Sequence, residues 1–265
     1  MARGAASASA PSRSGGKRNN SVKRAIALLR AAAVDGAPSV SALARAAGIP
    51  RATALRLVMT MEDEGFLLRV GDGDKVVLGP DLIQLARGAD ETATVAELAR
   101  EPLRELGEQV RETVLLSVVA RDGLLDVVDQ VDGPHQIRPG DWVGQRFPLH
   151  ASATGKVLLA SLDDSRLEDV LTQPLTRLTP ATITQPKRLR EELARVRRQH
   201  YATTIDELEE GLAGLAGGVF SPDGSLLAAV SVSAPTQRLH GRLAEIAPML
   251  RGFAERLESK LRPRG

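Results

Sequence analysis

Apolar residues change their period several times along the chain, and each change marks an element. In SVKRAIALLRAAAV, residues 21–34, Val22, Ile26 and Leu29 fall on one helical face, with Ser21 placed to cap the helix. Asp35, Gly36, Ala37 and Pro38 end it. A short second helix, SALARAA, has Ser39 or Ser41 as its cap, and Gly48 ends it in the left-handed conformation a sharp exit needs. Pro50 opens a third helix that runs to about Glu64 and stops at Gly65. Two helices joined this tightly cross steeply, so the third projects from a surface. Ala44, four residues before Gly48, allows close approach, and Leu43, Ile49, Leu55 and Leu57 supply the small core between the two. FLLRV and KVVLG then flank Gly71-Asp72-Gly73-Asp74, a hairpin signal. Three helices and a hairpin, in that order, make a winged helix-turn-helix.

Helical spacing returns over residues 80–110, read as a linker helix near 81–89 and a second helix near 93–110 around Pro102. TVLLSVVA and LLDVVDQV are strands joined at Arg121-Asp122-Gly123. Residues 133–150 read as loop with a short strand, and SATGKVLLASL as a helix. Residues 163–184 are irregular or short-helical, and PKRLREELARVRRQH is a charged amphipathic helix. A hairpin spans 213–233 with its turn at Ser221-Pro222-Asp223-Gly224, and HGRLAEIAPMLRGFAERLESKL closes the chain as a helix. Strand pairs framed by long helices predict an antiparallel α+β domain.

Composition narrows the function classes. At 43% hydrophobic and 2% aromatic, the cores must be built from Leu, Val, Ile and Ala. With no cysteine, disulfides and Cys-ligated metals are excluded. No apolar run approaches the ~20 residues of a membrane helix, and no signal-peptide core opens the chain; a soluble cytoplasmic protein is expected. The net charge of +2 conceals an asymmetry. Residues 1–70 carry eleven Lys or Arg against four Asp or Glu, whereas the remaining 195 carry 24 against 29. A basic end of this kind suits a polyanion. Residues 1–20 are small, polar and basic, and read as a disordered tail.

The third helix offers Arg51, Thr53, Arg56 and Thr60 near its outer face. A helix fits the major groove of DNA, and its N-terminal half reaches base edges. Arg56 can read guanine, Thr53 can meet a phosphate or a thymine methyl, and Arg51 can grip phosphate. Arg69 and Lys75 in the wing, and Lys23 and Arg24 in the first helix, are further candidates for the DNA backbone. Each of these side chains reads equally as ordinary solvated surface.

These segments resemble the IclR family of bacterial transcription regulators. The likeness rests on SVKRAIALL, SALARAAGIPRATALRLVMTMEDEGFLLR and VVLGPDLIQLA, then on PLHASATGKVLLA, YATTIDELEEG and GGVFSPDGSLLAAVSVSAP, and spans about residues 21–260. It implies a disordered tail over 1–20, a winged helix-turn-helix over 21–80, a linker helix over 81–91, and a GAF/profilin-like effector domain over 92–262. It also implies operator DNA as partner, a dimer or dimer of dimers, and a small organic-acid or aromatic effector. The pocket lies around HASATGK, with Ala153, Thr154 and Gly155 at a helix start where amides favour an anion. Ser231 and Ser233, two apart and so on one sheet face, match the family's hydroxyls. Where Gly214 aligns, several members carry Cys, and where Gly218 aligns, Pro; Gly214 thus enlarges the pocket or loosens its strand. Trp142 and Phe147 can form a flap, or Trp142 can belong to the core or a dimer contact. No cofactor or metal is implied.

Two other functions remain open. An enzyme is the first: ATGK suggests a phosphate loop, but Val157 follows Lys156 and Ala151 stands where the first Gly belongs. The four histidines have no metal-ligand spacing, and His150 near Ser152 has no evident third partner. No catalysis is expected. The second is an architectural DNA-binding protein without effector, against which the large C-terminal half argues.

Overall fold

The computed structural model describes residues 19–34, 38–71, 75–88 and 91–262, with the side chains of 86–88 and 91 also left aside. The basic residues expected in the tail, and the turn residues Asp72, Gly73 and Asp74, lie outside this set. The chain divides into two compact units, residues 1–89 and 90–265.

The first unit begins with α1 (Asn20–Ala32), α2 (Val40–Ala46) and α3 (Arg51–Asp63). Asn19, not Ser21, caps α1, its side chain accepting from the amides of Ser21 at 3.0 Å and Val22 at 3.4 Å. The expected buried face is also corrected. Leu28 and Ala32 are buried, with Ala25 and Leu29 against them, while Val22 and Ile26 stay exposed. The stripe 25, 28, 29, 32 keeps helical spacing with smaller residues.

Ser39 caps α2. Gly48 has φ +63°, and behind it the amide of Ile49 donates to Ala44 O at 3.0 Å and that of Gly48 to Arg45 O at 3.2 Å. Gly65 repeats the motif at φ +70°, with Phe66 N donating to Met61 O and Gly65 N to Glu62 O. Both helices therefore end in the left-handed cap that spends two otherwise orphaned carbonyls. Pro50 stands just outside α3 as its N-cap. Ala54, Val58 and Met61 form the inner stripe of α3 against Leu43 and Ala44; Leu55 and Leu57 lie only partly buried beside it. The wing follows as β1 (Leu67–Val70) and β2 (Lys75–Leu78), antiparallel with Leu67 opposite Leu78. A further helix, α4 (Pro80–Gly88), completes the unit.

The second unit is a five-stranded antiparallel sheet in the order β4-β3-β7-β6-β5. Its strands are β3 (Thr113–Val119), β4 (Leu125–Val131), β5 (Tyr201–Ile205), β6 (Leu212–Phe220) and β7 (Leu226–Pro235). Side chains alternate between two layers. Val114, Leu116, Val118, Leu215, Val230 and Val232 pack with α5 (Glu91–Val110) and α10 (Leu243–Leu261) in the main core. The opposite face meets α6 (Ala153–Ser161), with α8 (Pro186–Gln199) alongside that helix. A short α7 (Asp164–Leu171) and a one-turn α9 (Thr236–Leu239) fill the corners.

One local expectation is corrected, and one strand was not foreseen. Residues 133–150 contain no strand; hydrogen bonds to the edge strand β4, such as Gly144 N to Val127 O at 2.8 Å, hold them as loop. Conversely Tyr201–Ile205 is a full edge strand, paired with β6 from Tyr201 opposite Gly217 to Ile205 opposite Ala213. His200, at φ +63°, ends α8 and turns the chain straight into it.

Candidate functional site

The register of the sheet assembles a site on the α6 face. Ser231 lies opposite Leu115 on one side and Ala216 on the other, and Ser233 opposite Thr113 and Gly214. Gly214 in turn pairs with Thr204, and Ser117 with Val127. One row of alternate residues thus brings hydroxyls from three strands to one surface. Above them lies a narrow cavity of about 40 Å³. Its walls include Ser117, Thr204, Ser231, Ser233, Ser152, Ala153, Thr154 and Gly214, with Leu115, Val127, Leu208, Leu212, Trp142 and Phe147 supplying apolar surface.

No charged side chain belongs to this lining. A ligand charge must be met by backbone and hydroxyls. Ser152 caps α6: its Oγ accepts from Gly155 N at 3.1 Å and donates to Pro148 O at 3.0 Å. Lys156 N donates to Ser152 O at 2.9 Å. The amides of Ala153 and Thr154 find no acceptor among the described residues, so two donors stand at the positive end of the helix. The hydroxyls of Ser117, Thr204 and Ser231 are likewise unpartnered there, and Ser233 has only a long 3.5 Å contact to Ala213 O. Buried polar groups are normally paired; a cluster of free ones around a cavity is ready for a polar ligand.

Gly214 is the open side of this cluster. A Cβ there would stand 2.9 Å from Thr204 Oγ1 and 3.5 Å from Ala153 Cβ, inside the space the walls enclose. Gly155, expected with the ligand residues, does not line the cavity. Its missing Cβ would meet the Leu149 backbone at 2.4 Å, so it is required for close packing of the loop before α6. Lys156, also in that loop, is wholly buried and points away from the cavity. Its Nζ donates to Glu207 Oε1 at 2.5 Å and Thr203 O at 3.3 Å, tying α6 to the end of β5 and the turn after it. Burial raises the Glu207 carboxyl above its ordinary value, against the pull of Lys156.

From the loop of residues 136–147, Trp142 and Phe147 reach the cavity wall. The Gln130 side chain accepts from Trp142 N at 3.0 Å and donates to Gly140 O at 3.2 Å. Arg146 pairs with Asp122 at 2.6 Å and with Asp126, and these bonds hold the Asp122 carboxyl below its ordinary value. Trp142 and Phe147, which the sequence put forward as a flap, meet edge to face over the cavity.

His150 and Ser152 do not engage each other. His150 Nε2 is 2.8 Å from Thr176 O, and the Ser152 hydroxyl is occupied as a cap. Among the described residues no group of three His, Asp or Glu could hold a metal ion.

In the first unit, Arg56 is exposed on the outer face of α3, its side chain without a hydrogen bond or ion pair among the described residues. Thr53 is half-buried. Thr60 is exposed, but its hydroxyl donates to Arg56 O at 3.1 Å. Arg51 Nε donates to Ser41 Oγ at 2.9 Å, which fixes it at the junction of α2 and α3. Arg69 pairs with Glu62 at 2.9 Å. Lys75, Lys23 and Arg24 are exposed.

Ser117, Thr204, Leu115, Val127, Leu208 and Leu212 were not foreseen as cavity walls. Strand pairing, of β3 with β7 and of β5 with β6, is what places Ser117 and Thr204 on this face.

Comparison with known proteins agrees with this layout. A family model described as the bacterial transcriptional regulator IclR C-terminal matches residues 89–259, and one described as the IclR helix-turn-helix domain matches residues 21–71. An HTH-type transcriptional regulator of Mycobacterium tuberculosis is 36% identical over 90% of this chain and 91% of its own length. The transcriptional repressor IclR of Escherichia coli is 31% identical over 82% of this chain and 80% of its own. Among solved structures, an IclR homolog of Microbacterium hydrocarbonoxydans complexed with 4-hydroxybenzoate has a TM-score of 0.59 at 31% identity, covering 91% of this chain and 98% of that one. The IclR of Thermotoga maritima has a TM-score of 0.60 at 27% identity, with the same coverage.

Proposed function

The chain belongs to the IclR family of bacterial transcriptional regulators, and from that premise we propose that a small organic-acid or aromatic effector controls its binding to operator DNA. One observation carries this reading. The free amides of Ala153 and Thr154 face a row of unpaired hydroxyls in a cavity without charged side chains. A carboxylate placed at α6 gains charge-assisted hydrogen bonds, about 1.5–3 kcal/mol each, while its apolar body lies under Trp142 and Phe147. The 4-hydroxybenzoate bound by the Microbacterium protein is an effector-sized molecule of this type.

The domain division runs 21–80 for DNA, 81–91 for the linker helix and 92–262 for the effector. The α3 helices of a dimer, or of a dimer of dimers, enter major grooves about 34 Å apart or a multiple of that, with Arg56 toward a base and Lys23, Arg24 and Lys75 toward phosphates. The effector acts by favouring one arrangement of the linker over another, which requires different affinity for the two. The protein works in the cytoplasm, without cofactor and without catalysis; no helix among the described residues is long and apolar enough to cross a membrane. Thermal unfolding against a library of aromatic and aliphatic acids tests the reading. A true effector at a hundredfold its Kd adds ~2.7 kcal/mol of stability. The absence of any shift favours a DNA-binding protein without effector.

A further inference from the structure

Arg56 is not the only side chain on the outer ridge of α3. Steps of four and three residues stack Ala52, Arg56 and Met59 on one face, opposite the buried Ala54, Val58 and Met61. All three are exposed, Met59 to 52%. The inner stripe is complete without it, since Met61 already fills the core position two residues on. Arg51 and Arg69 are tied to Ser41 and Glu62, and the Thr60 hydroxyl is turned back onto its own helix. The ridge left free to meet a partner is therefore apolar, cationic, apolar.

We propose that Met59, with Ala52, reads thymine methyl groups beside a guanine held by Arg56. The proposal rests on α3 entering the major groove. There the guanidinium fork matches guanine O6 and N7, and thymine alone presents a methyl group. At 1.5 Å per residue, Met59 lies about 4.5 Å along the axis from Arg56, and Ala52 about 6 Å the other way. Base pairs are ~3.4 Å apart, so the thymines fall one or two pairs from the guanine. Met59 suits this work: an unbranched thioether moulds to an apolar partner at little strain.

The test uses the full-length protein to select duplexes from a random-sequence pool. The enriched site is then resynthesised with each thymine replaced in turn by deoxyuridine, which lacks only the methyl. The wild type loses about fourfold affinity at a thymine within two pairs of the guanine, the worth of one buried methyl. On the Met59 side of the guanine, Met59→Ala binds the thymine and uracil forms alike, whereas Met59→Leu keeps the preference. The proposal is overturned if the wild type shows no such preference, or if Met59→Ala retains it in full. Failure to enrich any duplex overturns it together with the DNA-binding reading, and is recognised because no site emerges to substitute.

Discussion

The rings of Trp142 and Phe147 meet edge to face, centroids 5.0 Å apart and planes at 72°, above the cavity formed by α6 and the sheet. Such a pair gains ~0.5–1.5 kcal/mol beyond the area it buries. It also makes the site observable, because Trp142 is the sole tryptophan in the chain. An acid that enters the cavity displaces water from the indole and changes its emission. Titration should give a saturable change in Trp142 fluorescence, shifted to at least tenfold higher concentration in Ser231→Ala/Ser233→Ala. An unshifted change in the double variant would locate the acid elsewhere.

The serine pair allows affinity and DNA binding to be separated. Each hydroxyl bonded to a carboxylate contributes ~1.5–3 kcal/mol, so the double variant should weaken effector binding by at least tenfold. Both residues lie in the second unit, and effector-free DNA affinity should stay within about twofold of wild type. Calorimetry and DNA anisotropy on the same preparation check the two halves.

Lys156 and Glu207 form an ion pair on the far side of the cavity wall, with Glu207 Oε2 buried and unpartnered. Removing one partner strands a buried charge, so Lys156→Met should lower stability by ~3–5 kcal/mol. Replacing both, as Lys156→Met/Glu207→Leu, should recover most of that loss. Denaturant unfolding measures each variant.

Burial raises the Glu207 carboxyl in the fold, and the sign of its pH dependence follows. Its contribution to stability is full below the ordinary value of 4.5 and falls as pH rises through the folded value. The stability of wild type should therefore fall relative to that of Glu207→Gln as pH rises across that window. Thermal melts of the two proteins at matched pH values would contradict this if wild type gained on the variant with rising pH.

Arg56→Ala should cost ~1–3 kcal/mol of specific DNA binding and relax the preference at one base pair. Lys75→Ala should weaken binding uniformly across sequences and reduce its salt dependence. Equal losses on specific and random duplexes for Arg56→Ala would make it a phosphate contact.

Much of this was legible in the chain because punctuation is local. Gly48 forecast a left-handed cap and Gly65 a helix end, and both are found at positive φ. The loop before α6 and the serine pair of β7 were singled out by the family resemblance, and the period of two put both serines on one sheet face. The misses are non-local. Ser117 sits inside the apolar run TVLLSVV, and only pairing with β4 and β7 reveals that it shares the face of Ser231. Thr204 lies in a strand of five residues whose identity depends on the edge offered by β6. The neighbours of Lys156 in ATGK spoke against a phosphate loop, but they do not show its burial, which is set by Glu207, 51 positions away. Val22 and Ile26 looked like core because apolar spacing does not say which of two adjacent stripes a helix will bury.

The central claim is that the cavity and the DNA helix report to each other, and reciprocal linkage tests it most directly. The Kd for the selected duplex is measured with and without a saturating acid identified by Trp142 fluorescence, and the Kd for that acid with and without saturating duplex. The account predicts that the two ratios are equal and differ from one by about fivefold or more. An acid that fills the cavity while leaving the duplex Kd unchanged would contradict it.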